Sequence, residues 1–70
     1  MTIRTEGDDR FLRIGEVCRL VGCGRSWIYA RLREGAFPQP VRLGHRTVVW
    51  REAEVRAWMN ARAATRAPAR

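Results

Sequence analysis

The chain has 70 residues, and its formal net charge of +7 comes from fourteen basic residues against seven acidic ones; every basic residue is Arg. That length holds one small domain around one modest core and excludes a large catalytic cleft. No apolar run approaches the roughly 20 residues of a spanning helix, and no apolar signal core follows the N-terminus, so a cytoplasmic protein away from any membrane is expected.

The charge is unevenly spread. Residues 1–9 are net −2 and residues 10–70 net +9. A GC-rich genome accounts for the missing lysines but not for the excess of cations. Such a surface attracts a polyanion, and the planar Arg fork matches both phosphates and the guanine edge. Residues 1–9 show no periodicity and are expected to form a flexible acidic leader.

Order is expected to begin near Phe11. Ile14, Val17, Cys18 and Val21 keep the i, i+3, i+4, i+7 spacing of a short amphipathic helix, with Gly15 as its N-cap and Gly22 as a left-handed stop. A second helix is predicted from Arg25 to Glu34, between Gly24 and Gly35. Ile28 and Leu32 face its core. The opposite arc carries Ser26, Trp27, Ala30 and Arg33, with Arg25, Tyr29 and Arg31 on the flanks. Two helices across a tight Gly turn, the second one basic, make a helix-turn-helix whose second helix suits the major groove.

Phe37-Pro38-Gln39-Pro40 cannot be helical. Val41 and Leu43 alternate with Arg42, and Thr47 to Trp50 form the partner strand of a hairpin turning on Gly44-His45, a type II′ candidate. This hairpin is the expected wing. Arg42, His45 and Arg46 sit there for the phosphate backbone or the minor groove. A third helix starts near Glu52, and Val55, Trp58 and Met59 supply its core stripe. The stripe is lost after Met59, which leaves residues 63–70 as a basic tail. The expected fold is mainly α with a small two-stranded antiparallel β wing, a winged helix-turn-helix over residues 10–62.

The runs Gly22-Cys23-Gly24-Arg25-Ser26-Trp27-Ile28-Tyr29, Gly35-Ala36-Phe37-Pro38-Gln39-Pro40-Val41 and Trp50 with Glu54-Val55-Arg56-Ala57-Trp58 resemble the AlpA family of prophage-associated regulators, over about residues 11–62. The resemblance implies a MerR-like or excisionase-like winged helix that binds DNA near phage or island genes. Arg25, Ser26, Tyr29 and Arg33 would then be recognition-helix residues, and Arg42, His45 and Arg46 wing residues. Cys23, Gly24 and Trp27 depart from the family's Leu, Ser and Thr, so no operator sequence is transferred. Trp27 either contacts thymine methyls or folds down against the wing as core. Tyr29 is either a hinge between helices or a phosphate contact through its hydroxyl.

Other chemistry finds little support. Cys18, Cys23 and His45 give at most three ligands where structural zinc takes four, so no metal or other cofactor is expected. Ser26 has no base set beside it by any motif, and there is a single His, so the chain is not read as an enzyme. The leading reading is a sequence-specific double-stranded DNA-binding regulator. An excisionase-type factor that bends DNA and recruits an integrase, and a module that docks an acidic protein, are the alternatives. One such module buries only about 600–1,000 Å² on DNA, so several copies are expected side by side on repeated sites. Without a coiled-coil extension, the free protein is expected to be a monomer.

Overall fold

A computed structural model describes residues 9–66. Six elements follow in order: β1 (Phe11–Leu12), α1 (Ile14–Val21), α2 (Arg25–Arg33), β2 (Val41–Arg42), β3 (Val48–Arg51) and α3 (Glu52–Ala64). The sheet is antiparallel in the order β1-β3-β2, with Leu12 opposite Trp50 and Val41 opposite Val49. The architecture is mainly α with a β wing, compatible with a winged helix. The sheet has three strands rather than two because Phe11-Leu12, a dipeptide too short to show alternation, is extended against β3. Pairing there lets Leu12 join the core, where it is 1% exposed.

α1 is capped by Arg13, in extended conformation, and not by Gly15, which lies inside the helix. The reason is Glu16. From the third helical position its Oε1 accepts the Arg13 N–H at 2.9 Å, the reach-back half of a capping box, and no glycine side chain can compete with that. At the other end Gly22 has φ 86° and its N–H donates to the Cys18 carbonyl at 2.7 Å. This left-handed residue turns the chain into α2 within three residues. α2 ends one residue earlier than expected, at Arg33. Gly35, with φ 75°, sets up a Schellman closure in which the Ala36 N–H donates to the Arg31 carbonyl at 2.8 Å.

The wing turn differs from a type II′ hairpin. That turn needs a positive φ at Gly44, and among the described residues the positive-φ glycines are Gly22 and Gly35. Instead the Leu43 N–H donates to the Thr47 carbonyl at 2.8 Å, so Gly44-His45-Arg46 form a three-residue connection. The extra residue puts Val41 opposite the buried Val49, and a one-residue slip would turn that pairing onto the wrong face.

Asp9, expected in the leader, is tied down. Its Oδ1 accepts the Ala53 N–H at 2.9 Å and its Oδ2 the Arg51 Nε–H at 2.7 Å, while the Arg10 carbonyl takes the Glu52 N–H at 2.8 Å. Residues 9 and 10 thereby satisfy two of the four orphan N–H groups that open α3. The rest of the expected leader, residues 1–8, lies outside the described residues. α3 itself runs on to Ala64, beyond Met59, although residues 60–64 are all exposed. Ala and Arg are strong helix formers, and propensity carries the helix after its packing ends. Of the expected tail, residues 63 and 64 are therefore helical, and residues 67–70 lie outside the described residues.

The core is Leu12, Val17, Ile28, Phe37, Val55 and Trp50, with Trp50 fully buried at its centre. Two indole N–H groups stitch the Pro-containing connector to it. Trp50 Nε1 donates to the Pro38 carbonyl at 2.9 Å and Trp58 Nε1 to the Ala36 carbonyl at 2.8 Å. A segment that forms no ladder of its own thus has its buried carbonyls satisfied. No helix among the described residues is long and apolar enough to cross a membrane.

Candidate nucleic-acid interface

α2 has one side on the core and one side open. Ile28 is wholly buried and Leu32 packs on the core, which fixes the helix's rotation against α1. The side turned away carries Ser26, Tyr29 and Arg33, all exposed, and Arg25 is exposed at the helix start. Tyr29, 39% exposed, keeps part of its side chain open to solvent. Ala30, between them, is half-buried.

Trp27 takes a different place. It is half-buried and meets Trp58 of α3 edge to face, with ring centroids 6.2 Å apart and planes at 72°. Of the two fates open to it, it packs as core, although against α3 rather than the wing. Arg31 lies over the other side of the arrangement, its guanidinium carbon 5.0 Å from the Trp27 centroid and its NH2 2.8 Å from Glu34 Oε2. The Arg31 Nε is buried without a hydrogen-bond partner, the cost of seating the cation on the indole. The third ring of the cluster, Phe37, stands 4.7 Å from Trp58. Sequence periodicity put Trp27 on the outer arc because its angle is a boundary angle. The Trp at 58 that covers it is 31 positions away and is invisible to helical spacing.

In the wing, Arg42, His45 and Arg46 are all exposed, and Leu43 beside them is 54% exposed. Arg42, Leu43, Gly44 and His45 line a shallow depression. The three-residue connection holds His45 and Arg46 at the hairpin's end.

The distribution of acids decides the electrostatics. From Asp9 onward the described chain has five acidic residues, and each is engaged by an Arg. Asp9 and Glu54 meet Arg51, Glu16 meets Arg10, Glu34 meets Arg31, and Glu52 meets both Arg10 and Arg56. Apart from Glu34, this network covers β1, the end of β3 and the first turn of α3. The carboxyls of Asp9, Glu16 and Glu52 are held below their ordinary values. For Asp9 the leading cause is the Ala53 N–H and for Glu16 the Arg13 N–H, while Glu52 is lowered mainly by its hydrogen bond from Arg56. None of these acids reaches Arg25, Arg33, Arg42 or Arg46. Among the described residues those four cations have no intramolecular counter-ion. Cys18 and Cys23 are free thiols, and no group of three or more potential metal ligands is assembled among the described residues.

Comparison with known proteins bears on this surface. The family model described as Prophage CP4-57 regulatory protein (AlpA) matches residues 10–63. The chain is also 50% identical over 58 residues to an uncharacterised protein, ORF88, of Enterobacteria phage P4, an alignment covering 83% of this chain and 66% of that relative. The chain thus spans just under two thirds of the relative's length. No solved structure matches it.

Proposed function

The chain belongs to the AlpA family of prophage regulatory proteins, and from that premise we propose that it is a sequence-specific double-stranded DNA-binding regulator of transcription. In this reading the exposed face of α2 enters the major groove. Arg33 and Ser26 reach base edges, Arg25 and the Tyr29 hydroxyl meet phosphates at the groove's mouth, and half-buried Ala30 keeps the helix close to the bases. Arg42, His45 and Arg46 grip the backbone or the minor groove from the wing, adding affinity more than specificity. Trp27 acts behind this face as a brace that fixes the first turn of α2 on α3.

The observation that carries the reading is the separation of charge. Among the described residues all five acids are paired with Arg10, Arg31, Arg51 or Arg56, whereas Arg25 and Arg33 of α2 and Arg42 and Arg46 of the wing have no acidic partner. An Arg face without carboxylates presents its full field to a polyanion.

Selection of bound sequences from a random duplex library, followed by titration of the enriched duplex at several salt concentrations, tests the proposal. A short repeated motif with a steep salt dependence is the expected result. Absence of enrichment together with no binding at moderate salt would refute it and favour a protein partner.

A further inference from the structure

The apolar stripe of α3 runs through Val55, Trp58 and Met59, and its next position, one turn on, is Arg62. The Arg62 guanidinium carbon lies over the Trp58 ring, 5.3 Å from its centroid. Trp58 in turn touches Trp27, the third residue of α2, immediately beside Ser26 and Arg25. Two ring contacts therefore separate Arg62 from the start of the helix that reads DNA in the reading above. Arg62 differs in kind from Arg56 on the same helix. Arg56 is neutralised by Glu52 at 2.7 Å, but no acid among the described residues pairs with Arg62. Its surroundings are open as well: residues 60–66 are all exposed, and Ala61, Ala63 and Ala64 add little bulk around it. Nearby, Arg66 is folded back onto the helix end, its Nε donating to the Ala63 carbonyl at 2.8 Å.

We infer that Arg62 is a further phosphate contact, made from the projecting end of α3 to the backbone of the same duplex that α2 enters. This rests on the DNA-binding reading and adds to it a site outside the helix-turn-helix and the wing. A guanidinium stacked on an indole uses its face for the ring and keeps its N–H edge for an oxyanion, and the stack holds it in place before the phosphate arrives. The contact is charge-based and blind to sequence, so it should appear in the salt dependence of binding and not in base preference.

The test uses the full chain, a short mixed-sequence duplex and the variants Arg62→Gln, Arg62→Lys and Arg56→Gln, with thermal unfolding measured for each. Both Gln variants remove one charge, so the change in net charge is matched. The expected result is that Arg62→Gln lowers the slope of log K against log salt by about 0.9, while Arg62→Lys and Arg56→Gln keep the slope of the parent. Equal slopes for Arg62→Gln and Arg56→Gln would overturn the inference, as would an Arg62→Gln variant that loses thermal stability with its slope unchanged. If the parent protein itself shows no salt-dependent binding, the DNA-binding reading falls and this site falls with it. Normal binding by the parent with an unaffected Arg62→Gln slope removes the Arg62 site alone.

Discussion

Trp58 joins the first turn of α2 to α3, and replacing it with Phe measures how firmly. The substitution deletes the indole N–H that donates to the Ala36 carbonyl at 2.8 Å, a net loss of about 1 kcal/mol, with the carbonyl left unsatisfied. It also reduces two edge contacts, to Phe37 at 4.7 Å and to Trp27 at 6.2 Å, each worth about 0.5–1.5 kcal/mol when whole. With half of each contact kept by the smaller ring, the total loss is about 2 kcal/mol. Domains of this size have about 4–10 kcal/mol in all, so the melting temperature should fall by about 8–16 °C. Urea denaturation followed by far-ultraviolet circular dichroism gives the free energies without relying on the altered Trp emission. A double-mutant cycle of Trp58→Leu with Trp27→Leu, which removes the ring pair whole, should then return a coupling of about 0.5–1.5 kcal/mol. Additivity of the two substitutions within about 0.3 kcal/mol would refute the brace assigned to Trp27 and return it to the DNA-facing side.

Gly22→Ala should cost about 1 kcal/mol or more in urea denaturation, because φ 86° strains an L residue, whereas Gly24→Ala, at φ −80° with no atom within 4 Å of its new Cβ, should be close to neutral. Asp9, Glu16 and Glu52 have folded pKa values below their ordinary 3.8, 4.5 and 4.5, so the stability they contribute is complete above those values and is lost as pH falls through the lowered ones. Acid unfolding curves should show that limb below about pH 5, and Asp9→Asn should flatten it; an unchanged curve would mean that Asp9 does not hold α3. Arg33→Ala should relax base preference at a cost of about 1–3 kcal/mol, whereas Arg46→Ala should weaken binding to all sequences alike and lower the salt slope by about one. Identical behaviour of the two variants would show that the helix and wing roles are assigned wrongly.

What the sequence determined by itself is what local chemistry encodes. Helical spacing located α1 and the buried face of α2, since a residue such as Ile28 needs only its own helix to be placed inward. Gly22 and Gly35 marked turns because left-handed backbone is a property of single residues. The family resemblance was legible for a related reason. Its matching positions Phe37, Trp50, Val55 and Trp58 are core or core-packed, so the motif describes the scaffold, while the departures, Cys23, Gly24 and Trp27, fall in the turn before α2 and in its first turn. The tertiary structure decided everything that joins distant segments. Asp9 caps a helix 44 residues away, and no leader composition signals that. Phe11-Leu12 becomes a strand only because Trp50 and Arg51 stand opposite it, and Trp27 turns inward only because Trp58 arrives there. The pairing of acids with Arg10, Arg51 and Arg56, and with it the unopposed charge of α2 and the wing, is likewise a matter of approach in space, since a net charge gives the number of cations but not which of them are already neutralised.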